Sequence, residues 1–126
     1  EHPEVETWAV GGHSLGGVAA SSYAGGHPGQ VDGLVLWASY PQGSLADSGL
    51  TVASIYGTND RLTTPEDVDG SRPDLPEDTA YTAVPGAVHA YFGDYGPQAG
   101  DGAATTSRVT AQAQIVRATI ALLATM

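Results

Sequence analysis

Val10-Gly11-Gly12-His13-Ser14-Leu15-Gly16-Gly17 is the stretch from which the rest of the chain is read. It contains Gly12-x-Ser14-x-Gly16, the spacing of a nucleophile elbow, in which a serine sits on a sharp strand-to-helix turn. A serine held at a strained backbone angle tolerates no bulky neighbour two places away. Glycines at 12 and 16 lack a Cβ and are expected to let strand and helix approach. The Ser14 hydroxyl would then project near the helix N-terminus, where free N–H groups and the positive end of the helix dipole favour a developing oxyanion. The N–H of Leu15 is the first candidate donor.

The motif is a weak signal in a chain with 17 glycines among 126 residues. Its context strengthens it. Val5 to Val10 is a short apolar run that reads as a buried strand, centred on about Thr7 to Val10. Leu15 to Ala24 is alanine-rich and reads as a helix. Strand, turn and helix are the setting the motif requires.

Downstream, the helix is expected to run to about Tyr23, stopped by Gly25-Gly26 and Pro28. Gly33 to Ala38 is continuously apolar, as a strand covered on both faces should be. A polar loop, Ser39 to Gly49, leads to a third strand, Leu50 to Tyr56. Thr64-Pro65-Glu66-Asp67 has a cap, a proline and two acids at a helix start. Asp78 to Val84 reads as a fourth strand, and Ala87 to Thr105 as a long loop. Ser107 to Leu123 reads as a final helix whose apolar face is expected at Val109, Ala113, Val116, Ile120 and Leu123. The order is that of an α/β protein with a parallel sheet, and no repeat or linker marks a second domain.

In such sheets reactive residues collect beyond the carboxyl ends of strands. Ser14, Asp60 and His89 each follow a strand, in the order serine, aspartate, histidine. A serine hydroxyl needs a base to take its proton, and an imidazole titrates in the right range. Asp60 would hold the imidazole's other N–H and stabilise the imidazolium. His13 is expected to be a packing or polar-support residue, since neighbours on a tight turn point apart. His2 and His27 flank prolines and are expected in solvent. Asp94 and Asp101 share the loop of His89 and read as loop-structuring, and Asp67 as a helix-dipole residue. Tyr91, Phe92 and Tyr95 would line an entrance or, as the preferred reading, pack the loop onto the last helix.

Composition narrows the chemistry. A net charge of −10, with four arginines and no lysine, argues against nucleic acid and anionic membrane surfaces. It also removes a phosphate-binding P-loop, which needs a lysine. There is no cysteine, hence no disulfide or thiolate catalysis, and compartment cannot be read from redox usage. No ligand cluster with metal spacing occurs, so no metal and no cofactor is expected. No apolar run is long enough for a membrane span.

Gly-His-Ser-Leu-Gly-Gly at 12–17, Ile55-Tyr56-Gly57-Thr58-x-Asp60 and Gly86-x-x-His89 together resemble the α/β-hydrolase superfamily. More narrowly the chain is similar to the bacterial family described as α/β-hydrolase fold-5, related to dienelactone hydrolases. Leu36-Trp37-Ala38-Ser39-Tyr40-Pro41 and His89-Ala90-x-Phe92-Gly93-x-Tyr95-Gly96 carry that narrower likeness. The resemblance implies the C-terminal half of an α/β-hydrolase fold, about four parallel strands with flanking helices, in a single partial domain spanning residues 1–126. It implies Ser14 as nucleophile, Asp60 as acid, His89 as base and Leu15 N–H as oxyanion donor, acting on a small-molecule carboxylic ester. Dienelactone hydrolases use a cysteine nucleophile, so the serine points to esters. An acyltransferase or thioesterase would use the same residues.

Members of the superfamily place about four strands before the nucleophile strand, and this chain opens just ahead of it. That departure implies a missing N-terminal half with the second oxyanion donor, and weak or no activity for this piece alone. It also implies an exposed sheet edge that the missing half, a partner chain or self-association would cover. A non-catalytic interaction module is the reading from a different class.

Overall fold

The computed structural model describes residues 2–126, so Glu1 of the polar lead-in lies outside the described residues. Its strands are β1 (Ala9–His13), β2 (Gly33–Trp37), β3 (Thr51–Gly57) and β4 (Ala80–Val84). Its helices are α1 (Leu15–Gly26), α2 (Pro65–Gly70) and α3 (Arg108–Leu123). The four strands form one parallel sheet in the order β1-β2-β3-β4. Each connection places the carboxyl ends of the strands on a single rim, where the turns after β1, β3 and β4 meet.

β2 shows why a continuous apolar run suits a central strand. Leu34 and Leu36 face the α1 side and pack with Ala20, Ala24, Val31, Leu50 and Val52. Val35 faces the α3 side with Ala53, Ile55, Val84, Ala111, Ile115 and Leu122. Both faces are thus covered, and alternation of polar and apolar residues would leave polar groups buried.

α2 begins as its sequence requires. The Thr64 hydroxyl accepts from the Asp67 N–H at 3.1 Å while the Asp67 carboxylate accepts from the Thr64 N–H at 3.0 Å, a reciprocal capping box. Ser107 caps α3 by accepting from Thr110 N–H.

Three expectations are corrected. The first strand is not a buried run at 7–10 but Ala9–His13 at the sheet edge, with Val5 and Trp8 exposed. Among the described residues it pairs with β2 alone, at one of its two edges. The second correction concerns α3, whose buried residues are Ala111, Ile115 and Leu122. Val109, Ala113, Val116, Ile120 and Leu123 are all exposed, and Val109 is 80% accessible. The helix carries two apolar stripes at helical spacing, and the one with small residues at 111 and 118 lies closer to the sheet. The third is a small one: His27 is half-buried, stacked on Tyr23 at 4.0 Å, and bonds the Tyr23 carbonyl at the end of α1.

Candidate active site

Ser14 is the residue between β1 and α1, at φ 55° and ψ −123°. A non-glycine residue there carries strain on the order of 1–3 kcal/mol, which persists only where the surroundings over-determine it. They do. The Ser14 N–H continues the sheet ladder to the Trp37 carbonyl at 3.0 Å. Its carbonyl accepts from Gly17 N–H at 3.0 Å, Val18 N–H at 3.3 Å and the Ser39 hydroxyl at 2.6 Å.

The approach of strand to helix is what makes glycine necessary. A Cβ on Gly12 would lie 2.3 Å from the Gly16 backbone, and one on Gly17 would lie 2.4 Å from the Ser39 hydroxyl. Gly16 is different: a Cβ there meets nothing within 4 Å. The steric demand expected at 16 therefore falls on 12 and 17, because the helix turns the Cα–H of residue 16 outward.

A serine preceding a helix ordinarily caps it. Here the hydroxyl of Ser14 makes no cap bond, because its backbone angles turn it away from the first turn. Among the described residues no carbonyl accepts from the Leu15 N–H, and the Leu15 side chain is 79% exposed. An unbonded hydroxyl thus stands beside an unbonded N–H at a helix N-terminus.

Asp60 follows β3 in a turn where its N–H donates to the Gly57 carbonyl. Its side chain is buried, and three donors face it. Oδ1 accepts from the N–H groups of Leu62 and Thr63, each at 2.8 Å, and Oδ2 from His89 Nδ1 at 2.8 Å. A carboxylate surrounded only by donors accepts all three bonds, so His89 Nδ1 is the donor toward Asp60. His89 itself is 4% exposed, in a 3₁₀ turn over His89–Phe92 inside the long loop after β4.

The rim therefore joins Asp60 to His89 directly. The ring of His89 packs on His13, the residue before Ser14, with centroids 4.5 Å apart. No hydrogen bond joins the Ser14 hydroxyl to His89 among the described residues.

His13 occupies the support position expected of it. Its Nδ1 lies 3.2 Å from the Tyr95 hydroxyl and its ring is nearly parallel to Phe92, while Nε2 is buried with no hydrogen-bond partner among the described residues. Burial pushes the His13 pKa below the usual 6.5, and repulsion from His89 adds to this. The His89 carbonyl and Asp60 offset part of the shift.

Several contributors escaped the sequence reading. Ser39 and Gly17 support the Ser14 turn. Asp101, by contrast, structures the loop as it was read to do, accepting from the backbone N–H groups of His89 and Ala90. Arg108 donates to carbonyls in and just after the same turn, at Ala90, Gly93 and Tyr95. The signal for Arg108 was its rarity, as one of four cationic residues in the chain. Tyr91 and Phe92 pack toward α3 as preferred, but Tyr95 turns back to His13.

An apolar hollow of about 440 Å³ opens beside β1, lined by Gly11, His13, Val35, Trp37 and Phe92 among others. It is the part of the sheet that α3 leaves bare, and it does not include Ser14. Among the described residues no group of three or more His, Asp or Glu side chains is placed to hold a metal ion. No helix of the described chain is long and apolar enough to cross a membrane.

The architecture has many solved counterparts. An esterase domain from Rhodothermus marinus superposes with TM-score 0.62 at 13% identity, over 90% of this chain and 60% of that one. A Klebsiella pneumoniae protein described as a candidate dienelactone hydrolase gives 0.67 at 22% identity, over 94% and 52%. A monoacylglycerol lipase from Paleococcus ferrophilus gives 0.59 at 18%, over 90% and 68%. At these identities the likeness is one of fold, and the chain spans about half to two thirds of the length of these structures. No curated protein sequence matches the chain. The sequence profile of the Alpha/beta hydrolase family matches residues 1–114. With its parallel sheet, its serine turn and that match, the chain belongs to the alpha/beta hydrolase family.

Proposed function

We propose that the chain carries the catalytic residues of a serine hydrolase acting on carboxylic esters. The observation that carries this reading is the buried Asp60–His89 bond of 2.8 Å on the same rim as a strained serine whose hydroxyl is not used in capping.

In this mechanism His89 Nε2 takes the proton of Ser14 as its oxygen attacks the acyl carbon, and Asp60 stabilises the imidazolium that forms. The negative charge on the former carbonyl oxygen is received by the Leu15 N–H at the head of α1. His89 then gives the proton to the departing alkoxide, leaving an acyl-serine. Water, deprotonated by His89, attacks the acyl carbon, and Ser14 leaves with the proton returned. One such oxyanion donor is worth on the order of a hundredfold in turnover.

Reaction of the purified chain with a fluorophosphonate probe tests the reading. The wild-type chain should be labelled at Ser14, Ser14→Ala should not be, and His89→Ala should react far more slowly. A folded wild-type chain that resists the probe would overturn it and favour a hydrolase-like module without catalysis.

A further inference from the structure

We propose that Asp101 and Arg108 are positioning residues that hold the His89 turn from its two ends. The inference deepens the reading above, since it takes His89 as the base.

A short 3₁₀ turn leaves N–H groups unpaired at its start and carbonyls unpaired at its end. Here each set meets a charged side chain. Asp101 Oδ1 accepts from the His89 N–H at 3.1 Å and from Gly102 N–H at 2.8 Å, and Oδ2 accepts from the Ala90 N–H at 3.0 Å. Arg108, in the first turn of α3, donates from one guanidinium nitrogen to the carbonyls of Ala90 (3.1 Å) and Gly93. Its other nitrogen donates to the Tyr95 carbonyl at 2.6 Å, and the guanidinium lies 5.0 Å from the Tyr91 ring centre.

The signs suit the ends: an anion at the N–H end, a cation at the carbonyl end. Arginine's planar fork reaches several carbonyls at once, which a lysine's single ammonium does not. The held segment then ties to the serine turn, because the Tyr95 hydroxyl bonds His13. The segment before His89 is tied to the Asp60 turn, since Asn59 N–H donates to the Ala87 carbonyl at 3.0 Å and Gly86 N–H to the Thr58 hydroxyl at 2.8 Å. Asp101 and Arg108 hold the turn that follows and carries the ring. A misplacement of about 1 Å at such a group costs on the order of a hundredfold in rate.

The test uses Asp101→Ala and Arg108→Ala in the full chain, with Asp101→Asn and Arg108→Lys should the first pair fail to fold. Two quantities are read: the Nδ1–H proton resonance of His89 by NMR, and kcat against KM for a p-nitrophenyl ester. The alanine variants should shift or broaden the His89 resonance and lower kcat on the order of 10–100-fold with KM little changed. Millimolar guanidinium should restore Arg108→Ala in both. A His89 resonance unchanged in folded variants overturns the positioning role, whatever the turnover. If the resonance responds while the wild-type chain neither turns over nor takes the fluorophosphonate, positioning stands and the hydrolase reading falls.

Discussion

His89 Nδ1 lies 2.8 Å from Asp60 Oδ2, with both side chains out of solvent although 29 residues separate them in sequence. The pair is not an isolated ion contact. Asp60 also anchors its own turn through Leu62 and Thr63, so the carboxylate serves the backbone of one loop and the ring of another.

That double role separates two substitutions. Asp60→Asn keeps the shape but presents an amide that can donate to the ring, which favours the wrong tautomer. We expect kcat to fall by about 10³–10⁴ with folding largely kept, by analogy with the aspartate of serine proteases. Asp60→Ala should in addition strand buried N–H groups, each costing about 1–3 kcal/mol. Ester turnover and urea unfolding of both variants, side by side, check this; equal unfolding midpoints for the two would refute it.

The glycines of the serine turn should not be equivalent. Gly12→Ala forces a Cβ to within 2.3 Å of the Gly16 backbone, where neither side can yield cheaply. A loss of about 1–3 kcal/mol or more is expected. Gly16→Ala meets open space within a helix and should gain up to about 1 kcal/mol. Denaturant midpoints decide it, and a destabilised Gly16→Ala with a tolerated Gly12→Ala would invert the assignment.

On α3, Ile115→Ala removes a side chain 2% exposed and should cost about 2–5 kcal/mol. Ile120→Ala, at 59% exposure, should fall within about 0.5 kcal/mol of wild type. Thermal unfolding of the two variants distinguishes the observed face from the one that periodicity favoured.

His13 gives the fold a dependence on acid. Its pKa is lowered in the folded chain, first by burial and then by His89, so the unfolded chain binds the proton more readily. Above the usual 6.5 both states are neutral at His13 and nothing is lost; as pH falls below 6.5, the unfolded state gains the proton first and stability declines. His13→Gln should flatten that part of the stability profile between pH 7 and about pH 5. The measurement is the unfolding free energy against pH, and an unchanged slope in His13→Gln would place the acid sensitivity elsewhere.

What could be read along the chain was whatever depends on local pattern. The serine turn was visible in Gly12-x-Ser14-x-Gly16, the central strand in Gly33 to Trp37, and α2 in its threonine cap and proline. The candidates Asp60 and His89 were legible because each follows a strand, and parallel strands put their ends on one rim. Less local matters misled. Val109 to Leu123 and Ala111 to Leu122 are both apolar at helical spacing, and spacing cannot say which stripe meets a sheet.

The amino-acid order by itself determined the parallel α/β class and the positions of the turns, and it marked Ser14, Asp60 and His89 as the candidates on which the proposed function rests. Short-range sterics, capping and burial periodicity set those features, and each acts within a few residues. Only the tertiary structure decided that α3 buries its alanine-bearing face, that Gly17 rather than Gly16 bears the steric constraint, and that Asp101 and Arg108 grip the turn of His89. Those outcomes depend on which distant backbone groups are left without hydrogen-bond partners once the sheet has closed, and that is a property of three-dimensional packing.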